Sequence, residues 1–293
     1  MKDFYLVTTD HLEDGVWFRD EEDFIVGMNH VAVQASLSEV IVLAFILMSN
    51  HVHLVLYGEY DEVQAFVNKL KVRYSLYLSR KYHVRDYLRR NRVHVKRIPT
   101  DEPEALERAI AYVQMNCVAA KVCAHPSQYP WGTGNSFFSA DGIREKTGKP
   151  LSTLSERART RLFHSFHTSL PEGWLVSEAG YIAPESYVAV KTVERIYRRP
   201  DRMNYFLNTS SKAKKRLETL DEHIPAFRDQ SILNALPDLC QSLFRKERFQ
   251  DLSSSEQTEA MRQIRFRFGS NVHQLARVCG LSYTDAARRL DSM

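Results

Sequence analysis

Apolar and polar positions follow three successive patterns over the first 60 residues of the chain. Residues 4–9 (FYLVTT) form a short run rich in β-branched and aromatic residues, which predicts a first strand. Residues 20–37 begin with acids and then repeat apolar positions at helical spacing, which predicts a helix. Residues 40–58 contain two apolar runs separated only by Ser49 and Asn50, and this pattern predicts a β-hairpin.

The patterns that follow complete one domain. An apolar stripe from Val63 onward predicts a second helix, and residues 92–98 (RVHVKRI) alternate between apolar and polar as a strand does. Residues 101–120 have acids and a proline in their first turn and one apolar face, which predicts a third helix. The order β-α-β-β-α-β-α predicts an α+β fold of the ferredoxin-like (split β-α-β) type, with an antiparallel sheet and helices on one side.

The remainder of the chain has a different pattern. Residues 132–150 are rich in glycine and turn-forming residues, which indicates a connection between domains. Apolar residues then recur at helical spacing, so we predict a core at residues 1–135, a linker at 136–150 and an all-helical region at 151–293. Helices are predicted within this region at residues 152–170, 186–198, 211–220, 230–249 and 257–268.

Residues 271–290 predict two short helices around a turn at Gly280. Ala276 stands four residues before this glycine, and its small side chain lets the two helices approach closely. Polar and basic residues follow on the second helix, which is typical of a DNA-binding helix-turn-helix. An ordinary helical hairpin is the alternative.

Composition narrows the class of protein. Of the 293 residues, 44% are hydrophobic and 26% are charged, which is typical of a soluble protein. No apolar run reaches the ~20 residues that a membrane span needs, and the N-terminus has no cleavable signal pattern. Four cysteines are scattered without C-x-x-C spacing, which favours reduced thiols in the cytoplasm and argues against a zinc site.

Basic residues are concentrated in one segment, although the net charge of the chain is only +4. Between residues 69 and 97 the sole acid is Asp86, and four tyrosines are interleaved with the cations. Such a segment is more often a solvated face than a binding site, but the tyrosines favour phosphate contacts combined with base stacking. The predicted DNA contacts here and in residues 271–290 are Lys69, Arg73, Arg80, Lys81, Arg89, Arg90, Arg92, Arg277, Arg288 and Arg289.

Two pairs of polar residues are candidates for chemistry. His51 and His53 are two residues apart on a predicted strand, so their imidazoles share one face and can bind a metal ion together. Tyr112 and Asn116 are four residues apart on the predicted third helix and share a face of it. Each pair has an alternative explanation, since histidines near a strand end can be half-exposed and a tyrosine on an amphipathic helix is usually a packing residue.

Both pairs lie in segments that resemble one known family. Residues 48–56 (MSNHVHLVL) resemble the HUH signature of the single-tyrosine transposases that act on single-stranded DNA, most closely the REP-associated tyrosine transposases. Residues 112–122 (YVQMNCVAAKV) and 128–132 (QYPWG) resemble the tyrosine-bearing helix and the segment after it, and the resemblance covers about residues 1–131. The sequence departs from the family pattern at Ser49, Cys117, Ala119 and Lys121, where Pro, Pro, Arg and Gly are usual.

The resemblance implies a metal-dependent DNA transposase with endonuclease activity. Tyr112 would be the catalytic nucleophile, and His51, His53 and Asn116 would hold Mg²⁺ or Mn²⁺. The substrate would be single-stranded DNA beside a hairpin, cleaved and rejoined through a covalent 5′-phosphotyrosine intermediate. Two other functions stay open, a DNA-binding regulator with the same fold and little catalysis and a different metal-dependent hydrolase. The sequence is compatible with a monomer and with a homodimer.

Overall fold

The structure, a computed structural model, describes residues 1–293 except residues 11, 13–14, 86, 89–90, 139–147, 166, 211–226 and 292–293. The strands are β1 (Asp3–Thr9), β2 (Ile41–Met48), β3 (His51–Gly58), β4 (Val93–Arg97), β5 (Lys149–Pro150) and β6 (Leu175–Val176). The α-helices are α1 (Glu21–Ser36), α2 (Tyr60–Tyr82), α3 (Ala105–Gln114), α4 (Asn116–Ala119), α5 (Glu156–Phe163), α6 (Val190–Tyr197), α7 (Pro200–Thr209), α8 (Asp229–Phe244), α9 (Ser254–Phe268), α10 (Val272–Cys279) and α11 (Tyr283–Asp291).

Strands β1 to β4 form one antiparallel sheet in the spatial order β2-β3-β1-β4. β1 pairs with β3 on one side and with β4 on the other, and Thr8 stands opposite His53 in the first ladder. Alternate residues of β1 are buried, because one face of the strand contacts the core. The chain is therefore an α+β protein with an antiparallel sheet, and its elements follow the predicted order as far as α3.

The outer edge of β2 is covered by a later segment of the chain. Leu47 N donates to the Trp131 carbonyl at 2.8 Å, and two residues away the Phe45 carbonyl accepts from Thr133 N at 3.0 Å. Between them, Gly132 passes so close to β2 that a Cβ atom would lie 2.6 Å from the Phe45 carbonyl oxygen, so only glycine fits there. The QYPWG segment thus pairs backbone groups of an edge strand that would otherwise be open.

Residues 151–209 form hydrogen bonds with helices α1 and α3. The Asn29 amide on α1 donates to the Leu162 carbonyl at 3.1 Å. On α3, the Glu107 carbonyl accepts from Tyr197 Oη at 2.7 Å. β6 lies within these residues and pairs with β5, which directly precedes them. Contacts of this kind join residues far apart in sequence, so helical periodicity could not reveal them.

Contacts divide the chain into two compact units. The first comprises Met1–Asp10, Phe24–Leu47 and Val52–Arg216, and the second comprises His11–Asp23, Met48–His51 and Leu217–Met293. This division does not fall at the predicted linker, residues 136–150, most of which lie outside the described residues together with the helix predicted at 211–220. The predicted boundaries at 135 and 150 therefore stay a prediction.

The C-terminal helices form an apolar core of their own within the second unit. Ile232 on α8, Met261 on α9 and Leu275 on α10 are fully buried in it. α10 ends at Cys279 and is followed by Gly280, whose φ of 67° favours glycine. Leu281 N donates back to the Ala276 carbonyl at 2.9 Å. The C-terminal region is thus helical, and the two short helices expected around Gly280 are present as α10 and α11.

His30 on α1 provides a prediction about stability. Its imidazole is fully buried, and its Nε2 lies 3.0 Å from the Phe163 carbonyl oxygen. Burial, with a smaller contribution from the charge of Arg73, lowers the pKa of His30 from 6.5 to about 3. Between these values the unfolded chain binds a proton that the folded chain does not. Stability should therefore fall as the pH falls below the unfolded value, by about 2 kcal/mol at pH 5.

Denaturant unfolding of the wild type and of His30→Gln at neutral pH and at about pH 5 measures this contribution. The glutamine amide can donate to the Phe163 carbonyl but does not titrate, so the variant should lose about 2 kcal/mol less than the wild type over this range. Equal losses in the two proteins would show that His30 is protonated in the folded chain without cost.

Candidate active site and nucleic-acid surface

β3 places His51 and His53 at alternate positions near its start. The strand lies between β2 and β1, so both histidines belong to an interior strand of the sheet. Their side chains are 5% and 1% exposed, which excludes the alternative of half-exposed surface residues. Residues i and i+2 of a strand point to the same face, so the two imidazoles share one side of the sheet as predicted.

The His53 imidazole has defined partners on two other elements. Its Nδ1 lies 2.9 Å from the Thr8 hydroxyl oxygen, on the residue that stands opposite it in β1. The Tyr112 ring meets it edge to face, with ring centroids 5.5 Å apart and an interplanar angle of 85°. The fold thus brings together His53 and Tyr112, which are 59 residues apart in the sequence.

The orientation of His51 is set by a neighbouring amide. Asn50 Nδ2 donates to the Leu12 carbonyl at 3.0 Å, so the amide oxygen Oδ1 is the atom that faces His51. This oxygen lies 2.9 Å from His51 Nδ1 and can only accept, so Nδ1 carries the proton. In the neutral ring, Nε2 therefore holds the lone pair, as a metal-binding histidine requires.

Asn116 marks a break in the helix that carries Tyr112. The sequence predicted one helix over residues 101–120, whereas α3 ends at Gln114 and α4 begins at Asn116. The Asn116 amide nitrogen donates to the carbonyls of Tyr112 at 2.8 Å and Val113 at 3.2 Å, which competes with regular backbone pairing. The amide is thereby held beside the turn that carries Tyr112, and Oδ1 is its remaining acceptor atom.

Tyr112 is half-buried, and burial raises the pKa of its phenol above the ordinary value of 10. The hydroxyl is therefore protonated at neutral pH in the protein alone. A nucleophilic role would require that the proton be removed as the oxygen reacts, or that a nearby positive charge lower the pKa.

The predicted ligand set is chemically suited to a divalent cation. His51 is in the tautomer that presents Nε2, and His53 can adopt it by donating from Nδ1 to the Thr8 hydroxyl. Asn116 contributes an amide oxygen once its nitrogen is committed to backbone carbonyls. Two imidazoles and one amide oxygen suit Mn²⁺ or Mg²⁺ with positions left for a substrate. Over the described part of the chain, no group of three or more His, Cys, Asp or Glu side chains offers a different metal site.

Two orienting residues were missed by sequence reasoning. Thr8 was assigned only to the first strand, and Asn50 only to the hairpin turn. The available signal was the hydroxyl of Thr8 at a half-buried position of the strand, which is compatible with a polar partner on a neighbouring strand. The identity of that partner depends on strand register, which sequence patterns do not specify here.

The basic segment of α2 is only partly available to a nucleic acid. Lys69 and Arg80 are exposed, whereas Arg73 is half-buried and its Nη1 donates to the Ser165 hydroxyl at 3.3 Å. Lys81 lies over the rings of two tyrosines, 5.6 Å from the Tyr77 centroid. Of the remaining predicted contacts in this segment, Arg92 is exposed, and Arg89 and Arg90 lie outside the described residues.

The tyrosines of this segment are less accessible than stacking on nucleic-acid bases would require. Tyr74 and Tyr77 are buried in the apolar face of α2, so their ring faces are not open to bases. Tyr82 and Tyr87 are half-buried. The prediction that Tyr74 and Tyr77 stack on bases is therefore wrong. Both belong to the apolar face of α2, which is buried although cations are their neighbours in the sequence.

A groove of about 780 Å³ lies along the outer face of α2. Its lining combines apolar Val72 and Leu76 with the basic residues Lys71 and Arg85. Lys71 Nζ donates to the Asn91 carbonyl, and burial lowers the pKa of this amine. Arg85 is thus the exposed cation of the groove, and its charge beside apolar surface suits a nucleic-acid strand.

The three arginines predicted to contact DNA from the C-terminal helices have protein partners. Arg277 donates from Nε and Nη2 to the buried carboxylate of Asp229, at 2.9 and 3.2 Å. Arg288 pairs with Asp285 one turn earlier on α11. Arg289 Nη1 donates to the Ser254 hydroxyl at 3.0 Å. The bidentate pair makes a phosphate contact by Arg277 unfavourable, because its loss would leave Asp229 buried without its cation.

The similarity of this chain to known proteins is low. No protein-family model matches the chain, and no curated protein matches it. A solved structure described as a REP-associated tyrosine transposase bound to a REP hairpin aligns with 48% of this chain and 81% of its own length, at 14% identity and a TM-score of 0.37. Similarity at this level carries no inference about function. In the described part of the chain, no helix is both long and apolar enough to cross a membrane.

Proposed function

We propose that this chain is a metal-dependent, transposase-like endonuclease that cleaves and rejoins single-stranded DNA through Tyr112. The observation that carries the proposal is the contact between the Tyr112 ring and the His53 imidazole, whose Nδ1 also lies 2.9 Å from the Thr8 hydroxyl oxygen. The resemblance of residues 48–56 and 112–132 to the REP-associated tyrosine transposases supplies the type of reaction. The strand order β2-β3-β1-β4 supports the ferredoxin-like assignment within the same proposal.

His51, His53 and Asn116 would hold the divalent cation, either Mg²⁺ or Mn²⁺. When bound, the cation would polarise the scissile phosphate and offset the charge that develops there. Asn50 and Thr8 orient the two rings from the opposite nitrogen, which keeps the ligand atoms in position before the cation binds.

In the reaction, Tyr112 Oη forms a bond to phosphorus while the bond from phosphorus to the 3′-oxygen breaks. The phenol loses its proton, and the departing 3′-oxygen gains one to become a free 3′-hydroxyl. The 5′-phosphate remains linked to Tyr112 as a phosphodiester. One ester is exchanged for another, so no external energy is needed and a 3′-hydroxyl can reverse the step to rejoin DNA.

Single-stranded DNA beside a hairpin would be held by exposed cations and by the groove of α2. Lys69, Arg80 and Arg92 are the predicted contacts between residues 69 and 97 that are exposed in the described part of the chain. The α10–α11 pair is proposed as a helix-turn-helix because a close helix-to-helix turn at Gly280 connects two short helices. The partner residues of Arg277, Arg288 and Arg289 favour a role for that pair in packing more than in base recognition.

Incubation of the full chain with labelled single-stranded hairpin DNA and Mn²⁺ tests the proposal. A denaturing gel should show a covalent adduct that carries a label placed on the 3′ side of the break, together with a released fragment from the 5′ side that ends in a 3′-hydroxyl. Chelation of the metal should abolish both products. Cleavage that leaves no protein-linked fragment would assign the site to a hydrolase and reject Tyr112 as nucleophile.

A DNA-binding regulator without catalysis is the second candidate. It is favoured by the departures from the family pattern at Cys117, Ala119 and Lys121 and by burial of Tyr112, which raises the pKa of the phenol. For this function the same experiment would show retarded DNA in a native gel and no adduct under denaturing conditions.

A further inference from the structure

α9 carries the most exposed large apolar side chain of the described residues after the N-terminal methionine. Phe266 is 88% exposed, whereas Ile264, two positions earlier on the same helix, is completely buried. Two residues on a helix are separated by about 200°, so Phe266 lies opposite the face that packs into the C-terminal core. Ala260 and Met261 belong to that buried face. The ring of Phe266 therefore contributes nothing to the packing of α9.

Three arginines surround this ring on the same part of the helix. Arg262 is one turn before Phe266, and Arg265 and Arg267 are its immediate neighbours, all of them exposed. Arg262 reaches an exposed carboxylate, that of Glu259, only at 4.0 Å. Neither Arg265 nor Arg267 forms an ion pair within the described residues. The cations of α9 thus differ from Arg277 and Arg288, which are committed to carboxylates.

An exposed aromatic ring among uncommitted guanidinium groups matches the chemistry of a nucleic-acid strand. Unpaired bases stack on aromatic rings whatever their sequence, and the phosphates between them are attracted to arginine. A duplex hides the faces of its bases, so the ring selects single strands. An apolar partner would not require three cations. Two copies of this basic surface would repel each other.

We propose that the face of α9 formed by Arg262, Arg265, Phe266 and Arg267 is a binding surface for single-stranded DNA. A base stacks on Phe266, and the arginines contact the flanking phosphates. The choice of DNA as the nucleic acid rests on the proposed function, whereas the aromatic and cationic contacts rest on the exposure of these side chains. The surface places nucleic-acid binding in the C-terminal unit on α9, where the sequence had assigned it to α10 and α11.

Binding of the full chain to a fluorescent oligo(dT) of about 20 nucleotides, measured by anisotropy over a range of salt concentrations, tests the surface. The first variant, Phe266→Ser, removes the ring, and the second, Arg265→Gln with Arg267→Gln, removes two charges. Tyr205→Ser is the matched control for an exposed ring, since Tyr205 on α7 is 60% exposed. Arg157→Gln with Arg161→Gln is the control for charge, because both residues are exposed on α5.

The two kinds of contact have different signatures. Phe266→Ser should weaken binding about five- to 100-fold with an unchanged salt slope, because stacking releases no counterions. The double arginine variant should make the log–log salt slope shallower by about 1.4, at about 0.7 per phosphate contact on a single strand. Both controls should stay within about twofold of the wild type. Equal effects of the two arginine pairs would reduce the surface to general electrostatic attraction and overturn the inference.

The same proteins separate this inference from the proposed catalysis. At saturating DNA, Phe266→Ser should still form the Tyr112 adduct, since the ring affects binding and not the reaction. If the wild type forms no adduct but Phe266→Ser binds more weakly as expected, the surface stands and the proposed reaction fails. If the adduct forms and the α9 variants bind like the controls, the surface is wrong. A change of sedimentation with unchanged DNA binding in Phe266→Ser would instead identify a contact between copies and also overturn it.

Discussion

Tyr112→Phe is expected to abolish the covalent protein–DNA adduct while folding and DNA binding remain. The substitution removes one oxygen atom and keeps the ring that meets His53 edge to face. Because the phenol oxygen is the atom that would bond to phosphorus, the yield of adduct should fall by about 1,000-fold or more. Denaturing gels with labelled hairpin DNA and Mn²⁺ measure the adduct, and anisotropy with the same DNA measures binding.

Tyr205→Phe is the matched control, because Tyr205 is an exposed tyrosine of α7 outside the candidate site. It should form the adduct at the wild-type level. Tyr74 and Tyr77 are poor substitutes for the nucleophile, since both are buried in the apolar face of α2. An adduct that persists in Tyr112→Phe would therefore have to be mapped to another tyrosine by peptide mass, and Tyr112 would lose its role.

Replacement of His51 and His53 together by alanine is expected to remove metal-dependent cleavage and to lower stability. Metal ligands exposed on a surface can be replaced with little loss of stability. Both rings are instead buried, and each hydrogen-bonds a neighbouring side chain, so we expect a loss of about 1–3 kcal/mol per residue. Calorimetry with Mn²⁺ should show binding at least about 100-fold weaker, and denaturant unfolding gives the stability.

Thr8→Val is the variant that distinguishes ligation from folding. It removes the hydroxyl that faces His53 Nδ1 and keeps the shape of the β1 side chain and both imidazoles. We expect Mn²⁺ binding about 10–100-fold weaker and a much smaller loss of stability than in the double alanine variant. Equal Mn²⁺ binding in the wild type and the double alanine variant would reject the histidine pair as ligands, whatever its effect on stability.

The local elements of the first 120 residues were predictable because their signals are short-range. The hairpin of β2 and β3 follows from two apolar runs around Ser49 and Asn50, and neither run depends on a distant partner to be recognised. The same holds for the common face of His51 and His53, which is a property of any extended strand. The spacing of four residues between Tyr112 and Asn116 likewise predicts that they lie near each other, and the break between α3 and α4 leaves them close.

The tertiary structure alone decided which side chains are the hydrogen-bond and ion-pair partners of the site residues. Thr8 meets His53 because of the register between β1 and β3, and Arg277 pairs with Asp229 because α8 brings that carboxylate to it. The contacts of Asn29 and Tyr197 attach residues 151–209 to α1 and α3, and no pattern in the sequence indicates either contact. Hydrogen bonds and ion pairs between residues more than 40 positions apart leave no periodic trace in the sequence. Periodicity records which side of an element is buried, whereas these contacts depend on which other element covers that side.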